Sequence, residues 1–248
     1  MGGSAEVRRA DYADIRAMRD LHRQEMNCQI RHDSHLGRGL ADAYLLLLDG
    51  RPAGYGGVLN RYDPGRVMEF YVLPHARAAG RRLFRALLEQ SRATQIAAQT
   101  NDPGLLLMLY DFGQNVATDC ILFLDAYRSA LQCPAGCFRP ATPEDRGPSG
   151  DDPPAQWVVE AAGAVVAAGG FLTHYNPPYA DIFMSVAATE RRRGFGSFLV
   201  QELKRECYES GHRPAARCNP DNVASRRTLE RAGLLPCARV LVADVAPL

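Results

Sequence analysis

The sequence predicts an α+β protein that carries one fold twice, and three observations lead there. A short strand running into a helix with an acidic first turn stands at residues 7–14 and again at 138–145. An apolar strand leading to an arginine-and-glycine loop stands at 69–80 and again at 182–194. In both places the loop opens an amphipathic helix, followed by a short strand, another helix and a final strand. A length of 248 residues suits one large domain or two small ones. The repeat selects two, at 5–136 and 137–248.

In the first copy, residues 12–30 place Ile15, Met18, Leu21 and Met26 at helical spacing. Strands follow at 43–48 and 53–59, joined by the hairpin signal Asp49-Gly50, and a third at 67–72. Leu83, Phe84, Leu87 and Leu88 then form a single apolar stripe. A second, more apolar helix is read from Leu105, Leu106, Met108, Leu109 and Phe112. In the second copy the stretch 146–154 is rich in glycine and proline and can hold little helix. Strands are expected at 157–161, 164–175 and 180–186, the last two joined by Asn176-Pro177-Pro178-Tyr179. A helix follows with Phe195, Leu199, Leu203 and Cys207 on one face, and Gly211 where it should stop. The first copy thus keeps an N-terminal helical region that the second has nearly lost.

Composition narrows the function. Lys and Arg number 29 against 28 Asp and Glu, a net charge of +1 that gives no reason to bind a polyanion. No recognition-helix signature accompanies it, so nucleic acid is not expected as a partner. Lys204 is the only lysine, which points to coding bias more than to a charged surface. The longest apolar stretch, 161–172, is broken by three glycines and falls short of the roughly 18–20 residues that span a bilayer. No charged-then-apolar leader opens the chain, so neither membrane nor export is expected. Seven scattered cysteines suit a reducing, cytoplasmic setting better than a disulfide framework. Cys133 and Cys137 lack a second pair of ligands nearby, so no metal site is expected.

The chemistry gathers at Arg191-Arg192-Arg193-Gly194-Phe195-Gly196. A loop between a strand and a helix collects unpaired backbone N–H groups and the positive end of the helix dipole. Glycine lets a ligand approach the backbone, and arginine brings bidentate donors for phosphate oxygens. Such a turn suits a phosphate or pyrophosphate. From these six residues alone, a helix start with solvated arginines fits equally well. A dinucleotide fingerprint fails because its third glycine would be Leu199, and no Gly-Lys-Ser/Thr occurs for a Walker loop.

The order strand, R-x-x-G-x-G, helix, short strand and Asn-led helix resembles the GCN5-related N-acetyltransferases (GNAT). The second motif, Asn222-Val223-Ala224-Ser225 running on to Gly233-Leu234, completes a likeness covering about residues 156–244. On that resemblance, each half would be a mixed, mainly antiparallel sheet flanked by helices. The resemblance implies acetyl-CoA as co-substrate, lying where the fourth and fifth strands splay apart. Its pantetheine arm would follow Ser185, Val186 and Ala187. Its pyrophosphate would sit on Arg191, Arg192, Arg193, Gly194, Phe195 and Gly196, with Ser197 in the first helical turn and Asn222 and Ser225 beside the arm. The implied reaction is acetyl transfer to a primary amine, with a small molecule as acceptor. A non-catalytic acyl-CoA-binding or regulatory module is the alternative.

Three departures qualify that implication. The first half keeps Gly80 but has Arg82 at the second glycine and Asp102 at the Asn position, as in a copy that has lost its cofactor. Seven residues after Asn222, where many family members carry Tyr, stands Leu229; Tyr208 and Tyr175 are nearby in sequence. For the base, Asp181 opens the fourth strand where the family often has Glu, and His174 competes with it. Asp181 lies five residues before Val186, so alternation turns it to the opposite face unless a bulge intervenes. The polar run His32-Asp33-Ser34-His35 falls where single-domain relatives cover the acceptor site.

Overall fold

The computed structural model describes residues 3–25, 34–145, 154–174 and 177–248. The chain folds as β1 (Ala5–Ala10), α1 (Tyr12–Glu25), α2 (Ser34–Gly37), β2 (Ala41–Leu48), β3 (Arg51–Leu59) and β4 (Arg66–Val72). A 3-10 stretch at Pro74–Ala79 leads into α3 (Gly80–Ser91), then β5 (Gln95–Gln99), α4 (Pro103–Phe112) and β6 (Gly113–Asp125). The second series is β7 (Cys137–Pro140), β8 (Trp157–Ala161), β9 (Ala164–Leu172), β10 (Tyr179–Val186), α5 (Phe195–Glu209), β11 (Arg213–Cys218), α6 (Val223–Arg231) and β12 (Leu234–Val245). The α+β repeat is therefore present, although α1 and α2 have no counterpart among the described residues of the second series. Met26 of the expected first helix and the breaker run 146–153 lie outside the described residues.

The chain forms two compact units, and they do not divide at 136/137. One takes the described residues up to Cys120 together with Ala238–Leu248; the other takes Ile121–Cys237. In the first unit β1, β2, β3 and β4 pair antiparallel in sequence order. Strand β4 then pairs parallel with β5, and β5 pairs antiparallel with β12 from Val240↔Gln99 to Asp244↔Gln95. In the second unit β7, β8, β9 and β10 pair antiparallel, and β10 pairs parallel with β11. Strand β11 in turn pairs antiparallel with Ile121–Leu124 of β6. Each copy's closing strand thus completes the other copy's sheet. Strands β5 and β11 offer equivalent edges, and nothing in a strand's own alternation tells it which of the two to join.

Helix burial follows the predicted stripes. Leu83, Phe84, Leu87 and Leu88 of α3 are buried in one core, and Phe195, Leu199, Leu203 and Cys207 of α5 in the other. No described helix is long and apolar enough to cross a membrane.

Helix α1 departs from its predicted stripe. Its buried residues are Ile15, Met18, Arg19 and His22, whereas Leu21 is exposed. Arg19 grips Glu69 of β4 with two bonds, Nε to Oε2 at 2.9 Å and Nη2 to Oε1 at 2.8 Å. The Tyr55 hydroxyl donates to Glu69 Oε2 and lies 2.8 Å from His22 Nδ1. The His22 ring stacks on Tyr71, and its Nε2 lies 3.6 Å from Asp102 Oδ2. A buried charge is tolerated only when paired and hydrogen-bonded. Here the guanidinium and the carboxylate meet that demand for each other.

Candidate functional site

In the second unit the parallel ladder between β10 and β11 joins only Tyr179↔Arg213, Ala180↔Pro214 and Asp181↔Ala215. Beyond Asp181 the two strands part, while β10 stays paired with β9 as far as Val186↔Ala167. The Ala187 N–H donates to Val166 O on β9. By alternation, Phe183 and Ser185 also turn their backbone groups toward β9, and Met184 and Val186 turn theirs to the open edge. Of the three residues predicted to meet the cofactor arm, Val186 therefore offers its backbone there, and Ser185 and Ala187 do not. Met184 does, and it was missed because the sequence does not reveal which parity faces β9.

The turn after β10 has a backbone that most residues resist. Gly194 caps α5 with φ +95°, and Arg192 is also left-handed at φ +62°. Such a φ at a residue with a Cβ costs about 1–2 kcal/mol. The first intrahelical bond runs from Phe198 N–H to Gly194 O. Helix geometry leaves the N–H groups of Phe195, Gly196 and Ser197 without intrahelical acceptors. The three arginines divide their work. Arg191 Nε donates to Val186 O at 3.3 Å, and Arg193 pairs with Glu190 at 2.5 Å and covers the Phe195 ring. Arg192 is exposed and has no carboxylate partner among the described residues. Phe195 and Ser197 are buried, so their side chains serve packing.

Gly196 faces the open gap. A Cβ there would lie 3.2 Å from both Val186 Cγ2 and Thr228 Cγ2, and 3.7 Å from Met184 Sδ. A long side chain at 196 would thus enter the space between β10 and α6. Gly196→Arg is expected to abolish acetyl-CoA binding and to cost about 1–3 kcal/mol through overpacking. Calorimetric titration and a melting curve check both. Helix propensity alone would make this glycine freely replaceable; its two close neighbours do not.

On α6, Asn222 caps the helix, its Oδ1 accepting the Ser225 N–H at 3.0 Å. Both stand at the end of the helix beside β11. Leu229 is buried in the core, so the position where relatives carry Tyr supplies packing instead of a hydroxyl. Tyr208 is turned away on α5: it donates to Asp125 Oδ2 at 2.7 Å, and its hydroxyl pKa is pushed up to about 12 by burial and that carboxylate. Tyr175 lies outside the described residues, as do His32 and Asp33.

Asp181 is buried, with Oδ2 accepting from Arg217 Nε at 2.8 Å. Its Oδ1 has no hydrogen-bond partner among the described residues. Burial raises its pKa above the ordinary aspartate value, and the Arg217 charge opposes the shift. No bulge interrupts β10 beside β9, so Asp181 lies on the sheet face opposite Val186 and Met184. His174 is exposed beyond the end of β9.

The corresponding place in the first unit is built differently. Pro74–Ala79 runs directly into α3, Gly80 is right-handed at φ −51°, and its N–H donates to Arg77 O. The left-handed turn is absent there, and Arg82 is exposed on α3. Asp102 caps α4 by accepting the Leu105 N–H at 3.2 Å and is buried beside His22.

Comparison with known proteins agrees with this geometry. Residues 123–234 match the sequence profile described as the Acetyltransferase (GNAT) family. Among curated proteins nothing matches the chain. A GNAT-family acetyltransferase from Colwellia psychrerythraea superposes with a TM-score of 0.81 at 15% identity, covering 97% of this chain and 100% of that one. A tandem GNAT protein from the clavulanic acid biosynthesis pathway, solved without AcCoA, gives 0.66 at 16% identity, covering 99% and 100%. A GCN5-related N-acetyltransferase from Sphaerobacter thermophilus gives 0.53 at 17%, covering 83% and 81%. At these identities the structural likeness is one of fold. Residues 123–234 thus resemble the GNAT family of acetyltransferases, and the chain shares the fold of a tandem GNAT protein over nearly its whole length.

Proposed function

We propose that the second unit transfers the acetyl group of acetyl-CoA directly to a primary amine of a small molecule, and that the first unit binds no cofactor. The observation that carries this is the left-handed turn at Gly194, set beside the gap between β10 and β11. The residues present fit the cofactor. Free N–H groups at the head of α5 and the unpaired Arg192 suit a pyrophosphate. The open edge of Met184 and Val186 suits an extended arm that makes backbone hydrogen bonds. Gly196 keeps the gap clear, and Asn222 and Ser225 stand at its α6 side. Acetyl-CoA, when bound, supplies an activated thioester. The first unit replaces the same turn with continuous helix, and a buried carboxylate occupies the Asn position. The cysteines among the described residues are free thiols, which supports a cytoplasmic setting.

An amine must lose a proton to attack, and Asp181 is the proposed acceptor, with the exposed His174 as the competing candidate. Burial keeps Asp181 more basic than a free aspartate, which suits a general base. The sign of its pH dependence follows from the two opposing causes. Below its pKa Asp181 is protonated and inactive, so kcat/KM should rise with pH along an acid limb above the ordinary aspartate value. Arg217→Gln removes the charge that holds the pKa down, so the limb should move to higher pH. Asp181→Asn should lower kcat by about 10²–10⁴ with acetyl-CoA binding unchanged. An acid limb unmoved by Arg217→Gln would remove Asp181 from the role.

The direct test is thiol release from acetyl-CoA across a panel of primary amines. Amine-dependent release in the wild type and none in Gly196→Arg is expected. Tight acetyl-CoA binding without turnover on any amine would favour the regulatory module instead.

A further inference from the structure

Between β6 and β7 the chain runs as an extended strap, residues 126–136, along α5 within the second unit. Its fastening is specific. The Ala126 and Tyr127 N–H groups donate to Gly233 O, and Lys204 Nζ donates to Tyr127 O at 2.8 Å. Further along, the Gln201 amide treats the strap as a neighbouring strand would. Its Oε1 accepts the Leu131 N–H at 2.6 Å, and its Nε2 donates to Leu131 O at 3.0 Å. The Ser129 hydroxyl donates to the same Oε1 at 2.8 Å. Cys133 packs against the core, and Pro134 then reaches the cofactor turn: its Cγ lies 3.5 Å from where a Cβ on Gly194 would stand.

Pro134 is thus the side chain nearest to where a Cβ on Gly194 would stand, beside the residue whose backbone defines the turn. The left-handed Arg192 makes the turn costly to hold in place, whereas Gly194 takes its positive φ without that cost. The turn is also held by its own flanks, through Arg191 to Val186 and Arg193 to Glu190, and by burial of Phe195 in the core. We infer that Gln201 is a positioning residue for cofactor binding, acting through the strap to hold Pro134 beside Gly194. It touches neither cofactor nor reacting atoms. This rests on the proposed reading that the Gly194 turn takes the pyrophosphate of CoA.

The inference predicts a split between binding and chemistry. In the full-length chain, Gln201→Leu keeps the helical position and its bulk but releases Leu131. The KM for acetyl-CoA and the CoA dissociation constant should each rise about tenfold, with kcat changed less than twofold. Pro134→Gly should do the same, and the double variant should be no worse than either single one, because both act through one contact. A purely structural role for Gln201 would lower the melting temperature and leave KM in place. Gly194→Val is the control on the underlying reading. If it binds CoA as the wild type does, the turn is not the site and the base reading falls. If it loses CoA while Gln201→Leu and Pro134→Gly keep wild-type KM, the turn stands and the positioning role is overturned. Additive losses in the double variant would likewise separate Gln201 from Pro134 and overturn it.

Discussion

Residues 137–248, expressed alone, should neither unfold cooperatively nor bind acetyl-CoA, although they contain the whole of the second sequence repeat. That fragment lacks Ile121–Leu124, the strand that pairs with β11 from Ala215 to Cys218. Ile121 and Phe123 are buried in the second core, at 3% and 0% exposure. Losing the side chains of a buried Ile and a buried Phe costs about 2–5 and 3–5 kcal/mol respectively. Asp125 would also go, and its Oδ1 lies 2.5 Å from the buried Lys204 Nζ. Stranding a buried charge costs about 3–5 kcal/mol more. Domain stabilities of about 5–15 kcal/mol do not survive such a sum. A fragment beginning at Ile121 restores the strand and the counter-ion, and it should recover a cooperative melt. Circular dichroism and calorimetric titration on the two fragments decide the matter. A folded, CoA-binding 137–248 would show that the exchanged strand is dispensable.

In the first unit the largest single-residue effect should come from Arg19→Met. Glu69 is 1% exposed and takes both bonds of the Arg19 fork. Without the guanidinium the buried carboxylate loses both bonds of the fork and the charge that faces it. The expected loss is about 3–5 kcal/mol. Replacing both partners should be milder than removing one, because apolar side chains of similar volume leave no charge behind. Arg19→Met with Glu69→Leu should therefore recover much of the loss, as read from denaturant unfolding. A single variant within about 1 kcal/mol of wild type would mean that the buried pair contributes little.

These two predictions concern the features that the sequence conceals. The stripe of α1 reads as Ile15, Met18, Leu21 and Met26, yet the buried face is Ile15, Met18, Arg19 and His22. Both sets satisfy helical spacing. Glu69, fifty residues further on, supplies the countercharge for the buried arginine, and no local pattern announces that partner. The strand exchange is hidden for a similar reason, since two equivalent sheet edges compete for two similar strands. By contrast, the stripes of α3 and α5 were legible because a fully apolar face has one way to be buried. The Gly194 turn was legible as an arginine-and-glycine loop between a strand and a helix, whereas its left-handed backbone required the structure. Asp102 illustrates a half-legible position: its departure from Asn was evident, but its role as the cap of α4 required the helix itself. Asp181 was placed on the correct face by counting, since no bulge disturbed the alternation; its pairing with Arg217 on a separate strand could not be counted.

The central claim is that one of two similar folds in this chain holds the cofactor, at the turn from Arg191 to Gly196. Isothermal titration of acetyl-CoA into the full-length protein tests it most directly. One site per chain is the predicted stoichiometry, matching the one left-handed turn at Gly194 and the helical, right-handed Gly80 of the other copy. Two equivalent sites per chain would contradict the account.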